Sequence, residues 1–295
     1  MNSLIFHIVD VFAEEKYAGN QLAVFRNIGE ISGDKMQKIA NEMHFSETTF
    51  VLSDKKKKGG YDVRIFTPSS EVPFAGHPTL GTAYVIEKEI LGGQVEKVLI
   101  NLEVGQIPVT IERSTGKNET LWMKQIPPTF GRKLDPASVS SLLNLDVKDI
   151  DGRYPIQEVS TGLPFLIVPL KTLDATRRAR VDRAREKEIG TQAGGILIFS
   201  VETYDKKNDL NVRVFVDLLG IPEDPATGSG NGCLAAYLSK YRFFGDDFVN
   251  VRVEQGCEIG RPSLLYLKAE NKKGEILVSV GGKVIIVASG KFVNP

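Results

Sequence analysis

The chain has 295 residues, of which 42% are hydrophobic and 25% charged, enough apolar material for two ordinary cores and typical of a soluble globular protein. Its 37 Lys and Arg residues cancel its 37 Asp and Glu residues, so no global field draws nucleic acid or an anionic membrane, and a small-molecule partner fits better. Two cysteines, Cys233 and Cys257, are too few for a disulfide framework or a zinc knuckle, and no apolar run reaches the ~18 residues of a membrane helix.

The N-terminal stretch lacks a basic segment followed by a long apolar run, so it does not read as a secretory signal, and a cytoplasmic protein is expected. Residues 4–12 and 22–25 read as strands around the Ala18-Gly19-Asn20 turn. Met36, Ile39, Ala40 and Met43 fall at helical spacing, which predicts a helix over 32–43 with Ser32 at its N-cap. Residues 45–52 read as a strand carrying Glu47. Lys55 to Lys58 with Gly59-Gly60 form a solvated hairpin tip before the partner strand, 61–67. An apolar helix is expected over 78–89, then short strands near 98–102, 106–112 and 121–124. Pro127-Pro128 marks a linker.

Beyond it, Asp135 and Pro136 predict an N-cap and first position for a helix over 135–145. Residues 158–168 read as strand, turn, strand. A single charged helix is expected over 173–189, with strands at 195–201 and 211–216. A second apolar helix follows over 231–240, and short strands then run to 283–288. The helices do not alternate with the strands, so a parallel βαβ sheet is disfavoured. The pattern predicts an α+β protein of two lobes, each a mostly antiparallel sheet wrapped round a central helix.

Two stretches repeat. Arg64-Ile65-Phe66 precedes Pro73-Phe74-Ala75-Gly76-His77-Pro78, and Arg213-Val214-Phe215 precedes Pro222-Glu223-Asp224-Pro225-Ala226-Thr227-Gly228-Ser229-Gly230. The spacing of about 150 residues is that of a duplicated half. It predicts a first lobe over 1–126, a second over 127–283, and a tail over about 284–295 that returns to the first. Each turn leads into an apolar helix, whose free N–H groups and dipole bind negative charge. Gly76, Gly228 and Gly230 let backbone approach a ligand closely.

Two such starts facing each other would clamp a carboxylate. Gly228-Ser229-Gly230-Asn231-Gly232 lacks GxGxxG spacing and does not follow a strand, so it is not a dinucleotide loop. His77, at a helix start, is expected to titrate near neutrality. His7 and His44 read as structural, and no ligand spacing suggests a metal. Glu47 either faces solvent, as strand carboxylates commonly do, or faces the cleft, where partial burial would suit it to general-base work. Asp224 would bring an acid from the other lobe.

The chain resembles the PhzF family, the phenazine-biosynthesis-like isomerases, over nearly its whole length. The resemblance rests on Asp10-Val11-Phe12 through Ala18-Gly19-Asn20, on Phe45-Ser46-Glu47-Thr48-Thr49-Phe50 and on Ala75-Gly76-His77-Pro78-Thr79. It continues through Asp224-Pro225-Ala226-Thr227-Gly228-Ser229-Gly230 and Gly260-Arg261-Pro262-Ser263. It implies a diaminopimelate epimerase-like fold with the active site between the lobes, no cofactor, and a homodimer. The epimerase's two cysteines fall near Ala75 and Thr227, so its two-base chemistry is absent, and Cys233 lies too far along the helix to replace either.

The resemblance also assigns proton transfer between carbons to Glu47, assisted by His77 and Asp224. It places Asn20, Ser46, Gly76, Gly228, Ser229 and Gly230 around the substrate. The duplication sets His77 against Ser229 and leaves Glu47 only Gly194 or Gly195 as counterpart. The leading expectation is a cofactor-independent isomerase of a small carboxylate-bearing substrate. The alternatives are a binding protein without turnover and, disfavoured, an amino-acid epimerase.

Overall fold

The computed structural model describes residues 4–113, 119–191, 193–216 and 221–293; the first three and last two residues of the expected first lobe lie outside them. The chain divides into two compact units. One takes the residues up to Met123 and those from Gly281 onward; the other runs Lys124–Val280.

In the first unit, β1 (Leu4–Val11), β2 (Asn20–Arg26), α1 (Gly33–Met43), β3 (Thr48–Val51), β4 (Tyr61–Phe66), β5 (Glu71–Val72), α2 (Gly76–Glu89), β6 (Lys97–Leu102), β7 (Gly105–Arg113) and β8 (Glu119–Lys124) follow in order. In the second come β9 (Thr129–Lys133), α3 (Pro136–Leu142), β10 (Gln157–Ser160), β11 (Pro164–Pro169), α4 (Leu173–Arg178), α5 (Arg183–Ile189), β12 (Gly195–Ser200), β13 (Leu210–Val216), β14 (Ile221–Asp224), α6 (Gly228–Lys240), β15 (Val249–Gln255) and β16 (Ser263–Lys272). Then β17 (Glu275–Gly282) reaches the boundary and β18 (Val284–Phe292) rejoins the first unit.

The strand pairings repeat. In the first unit β18–β1, β1–β2, β3–β4 and β6–β7 are antiparallel, while β2–β3 and β4–β6 are parallel. In the second, β9–β10, β10–β11, β12–β13 and β15–β16 are antiparallel, while β11–β12 and β13–β15 are parallel. The fold is α+β and mostly antiparallel, with two parallel pairs in each unit among the described residues.

The apolar helices sit inside. Ten residues of α2, from His77 to Glu87, are buried, as are eleven of α6. A helix buried on nearly all sides needs apolar residues all round. α2 touches β1, β2, β3, β6, β7 and β18, and α6 touches β10, β11, β12, β15 and β16, so each sheet curls round its helix.

The outer faces carry the other helices. Under α1, Phe25 stacks on Phe50 at 5.2 Å, and Phe66 and Phe292 meet them edge-on. In the second unit Leu142, Leu166, Val168, Ile196 and Ile198 build the matching core beneath α3 to α5.

Local signals place several ends. Ser32 Oγ accepts the Lys35 amide at the start of α1, and Asp135 accepts the Ser138 amide at the start of α3. The strand expected over 45–52 is shorter, so Glu47 lies in the turn just before β3. The helix expected over 135–145 stops at Leu142.

The single helix expected over 173–189 is two. The Arg213 guanidinium donates to the carbonyls of Thr176 at 2.7 Å and Ala179 at 3.1 Å, and the Arg180 and Asp182 amides donate to Leu143 and Leu142. The chain's polar groups are thereby satisfied off-axis, and Asp182 then caps α5.

The duplication extends to side chains. Arg64 forks onto Glu71 at 2.7 and 2.6 Å, and Arg213 forks onto Glu223 at 2.9 and 2.7 Å. Each arginine also lies over the phenylalanine two residues on, Phe66 at 5.1 Å and Phe215 at 4.9 Å. These paired forks hold β4 to β5 and β13 to β14, and so aim both turns.

Candidate active site

The expected residues form one cluster in each unit. In the first, α2 starts at Gly76 with Ala75 as N-cap and no side chain capping it. The first backbone bond of the helix runs from Thr79 to Ala75. Pro78 has no N–H, so this start offers the amides of Gly76 and His77.

His77 is buried against β2. Its Nδ1 lies 3.4 Å from Asn20 Nδ2, and Asn20 is itself buried. The ring also hydrogen-bonds the Gln21 backbone. Nδ1 is the nitrogen beside the Asn20 amide and Nε2 the one turned to Glu47, and the Gln21 bond favours the charged ring.

Burial overcomes this bond and lowers the His77 pKa from 6.5 to about 3. The expectation that His77 titrates near neutrality is therefore corrected. A helix start is commonly wet, but here the His77 ring is buried beside Asn20.

Glu47 reaches the same ring. Its Oε2 is 3.4 Å from His77 Nε2, and its side chain is 17% exposed, so it faces neither bulk solvent nor a dry core. The distance would suit an ion pair, but the imidazole is neutral at ordinary pH. A neutral imidazole can share only one proton with the Glu47 carboxyl across this contact, so the pair is a hydrogen-bonding couple rather than an ion pair. At 3.4 Å the contact is long for a hydrogen bond, and such contacts tighten as substrate binds. Ser46 precedes it in the turn and is half-buried.

In the second unit, Asp224 ends β14 and is buried. Thr227 donates its hydroxyl to Asp224 Oδ2 at 2.5 Å. α6 begins at Gly228, three residues before the expected helix, so Gly228, Ser229 and Gly230 form its first turn. Their amides precede the first backbone bond, from Asn231 to Thr227. The helix again has no side-chain cap and no acid in its first turn, which suits an anion.

A further residue escaped the sequence reading. Gln255, at the end of β15, hydrogen-bonds both Asp224 and Thr227.

The strand registers also name the counterpart of Glu47. Thr48 pairs with Phe66, and Ile196 pairs with Phe215, the equivalent phenylalanine. The position before Ile196 is Gly195. A Cβ there would meet Val216 at 2.7 Å, Phe165 at 2.8 Å and the Phe215 carbonyl at 2.9 Å. The second unit leaves no room for an acid at the equivalent place.

Cys233 is fully buried, and burial pushes its thiol up to about 11. Among the described residues no cluster of His, Cys, Asp and Glu is arranged to hold a metal ion.

The model of the family described as phenazine biosynthesis-like protein matches residues 9–290. The chain belongs to this PhzF family. A curated relative, the trans-2,3-dihydro-3-hydroxyanthranilate isomerase of Pseudomonas aeruginosa, is 34% identical over 289 residues, 96% of this chain and 97% of its own. The crystal structure of the Bacillus anthracis phenazine biosynthesis protein of the PhzF family is 26% identical, with a TM-score of 0.89 over 99% of this chain and 100% of that one.

Like its named PhzF relatives, the chain is an isomerase. A hydroxyproline epimerase from Agrobacterium vitis matches with a TM-score of 0.63 over 99% of this chain and 91% of its own at 10% identity, a likeness of fold alone. No helix of the described residues is long and apolar enough to cross a membrane.

Proposed function

We propose that this PhzF isomerase moves a proton between carbons of a small carboxylate-bearing substrate, without a cofactor, using Glu47 as a single mobile acid–base. The observation that carries the reading is the half-buried Glu47 carboxyl set against Nε2 of a neutral, buried His77. Glu47 abstracts the proton from a carbon activated by its neighbours and returns it to another.

Between the two steps, His77 Nε2, beside the carboxyl, holds Glu47 in place. The uncapped amides of Gly76 and His77 bind the anionic end of the substrate or the charge that develops on it. Asp224, with the amides of Gly228, Ser229 and Gly230, supplies the second cluster, and Asn20 and Ser46 complete the set. An epimerase using two thiols has no support here, since Ala75 and Thr227 stand where the epimerase's cysteines fall and Cys233 is sealed in the core.

The substrate of the Pseudomonas aeruginosa relative is the first compound to try. Incubated with it in deuterium oxide, the wild-type chain is expected to isomerise it, and Glu47→Gln is expected to slow turnover by about 1,000-fold. Turnover of Glu47→Gln at the wild-type rate would remove Glu47 as the base.

A further inference from the structure

Gln255 is 1% exposed, and all of its amide's hydrogen-bonding capacity goes to one turn. Its Nε2 donates to the Asp224 carbonyl at 2.7 Å and to Thr227 Oγ1 at 3.0 Å. Its Oε1 accepts from the Thr227 amide at 3.2 Å and from Asn231 Nδ2 at 2.8 Å. Two donors meeting on one side of the amide settle which end is oxygen.

The direction of the next bond then follows. Thr227 Oγ1 already accepts from Gln255, so its single proton goes to Asp224 Oδ2, 2.5 Å away. Donors therefore run one way, from Asn231 through Gln255 and Thr227 to Asp224.

We propose that Gln255 is a positioning residue for Asp224: it holds the Thr227 hydroxyl so that its proton always points at the carboxyl, and it keeps Oδ2 an acceptor. Through its Oε1 it also occupies the Thr227 amide, so the α6 start presents only Gly228, Ser229 and Gly230 to an anion.

The backbone fixes Gln255 in turn. Gly256 follows it at φ 76°, and a Cβ there would lie 2.6 Å from the Pro225 carbonyl. The end of β15 is thus pressed directly onto the turn, with a backbone angle that favours glycine.

The first unit has no equivalent. Tyr61 pairs with Ile100 where Leu210 pairs with Val253, which places Leu102 opposite Gln255 in the repeat. The polar scaffold belongs to the Asp224 turn alone. The inference rests on Asp224 being part of the proposed site, and its test needs no substrate and does not involve Glu47.

The Asp224 carboxyl is followed by its 13C resonance between pH 3 and 8 in aspartate-labelled protein, assigned with Asp224→Asn. Gln255→Met and Thr227→Val are each expected to raise its titration midpoint by up to about one pH unit, because Thr227→Val removes the donor and Gln255→Met removes the bond that aligns it. Thr227→Ser is expected to leave it in place, and Gln255→Met is expected to add nothing further in the Thr227→Val background.

A wild-type midpoint in Gln255→Met, with a shifted one in Thr227→Val, overturns the proposal. If Gln255→Met does not fold, the native chain still decides. The Gln255 side-chain amide should exchange with solvent at least ~100-fold more slowly than a surface glutamine, and exchange at the surface rate overturns it.

Discussion

The burial of His77 couples the site to stability. Its imidazole binds a proton near pH 6.5 when unfolded but only near pH 3 when folded. Between these values the unfolded chain holds more protons, so stability rises with pH in that window and is fully present above 6.5. As pH falls from 6.5 to 5, this single group costs about 2 kcal/mol. His77→Asn should remove that part of the slope, measured as the difference between urea unfolding curves of the variant and wild type across the range. Equal slopes would mean that His77 is wetter than its surroundings indicate. The motif around Glu47 and His77 was legible in the sequence as residue types in order. The protonation state was not, because it depends on the burial of the His77 ring, which only the fold creates. Gln255 was also illegible: one glutamine at a strand end has no local signature, and only the fold brings it to Asp224.

At the level of elements, the paired Arg–Glu forks have the same geometry but different surroundings. Arg213 and Glu223 have side chains 4% and 8% exposed, whereas those of Arg64 and Glu71 are 33% and 37% exposed. Arg213→Met strands a buried carboxylate and the carbonyls at the end of α4, and should cost about 3–5 kcal/mol. Arg64→Met should cost about 1 kcal/mol or less. Guanidinium unfolding of the two variants tests the contrast, and equal losses would contradict it. Gly195→Ala should destabilise by about 3 kcal/mol, because a backbone carbonyl and the rings and branches around it cannot all move aside; a change below about 0.5 kcal/mol would show that the strand gives way. Elements with local causes were legible: the Ser32 and Asp135 caps, the apolar α2, and the two turns. The gap between α4 and α5 was not, because its cause, Arg213, lies on another strand. The glycines at 228 and 230 read as a turn before the helix because glycine is a poor helix former, yet they occupy the first turn, where a missing side chain costs least.

On the scale of the whole molecule, β18 closes the first unit. It pairs with β1 from Leu4 to Val11 and brings Phe292 edge-on to Phe6 and Phe25. A chain truncated after Lys283 should lose hydrogen-exchange protection in β1 to β3 while β10 to β13 keep theirs, since the second unit has its own core. Retained protection in β1 to β3 would show that the first unit folds without its last strand. The strand that covers β1 is thus made only after the whole of the second unit. During synthesis, β1 to β3 leave the ribosome with Phe6, Phe25 and Phe50 short of a cover, and they wait while the whole of the second unit is translated. At ordinary elongation rates that wait is on the order of ten seconds or more. The second unit can complete itself in that time, and the first cannot. The half that holds Glu47 is therefore the half that nascent-chain chaperones and proteases meet unfinished.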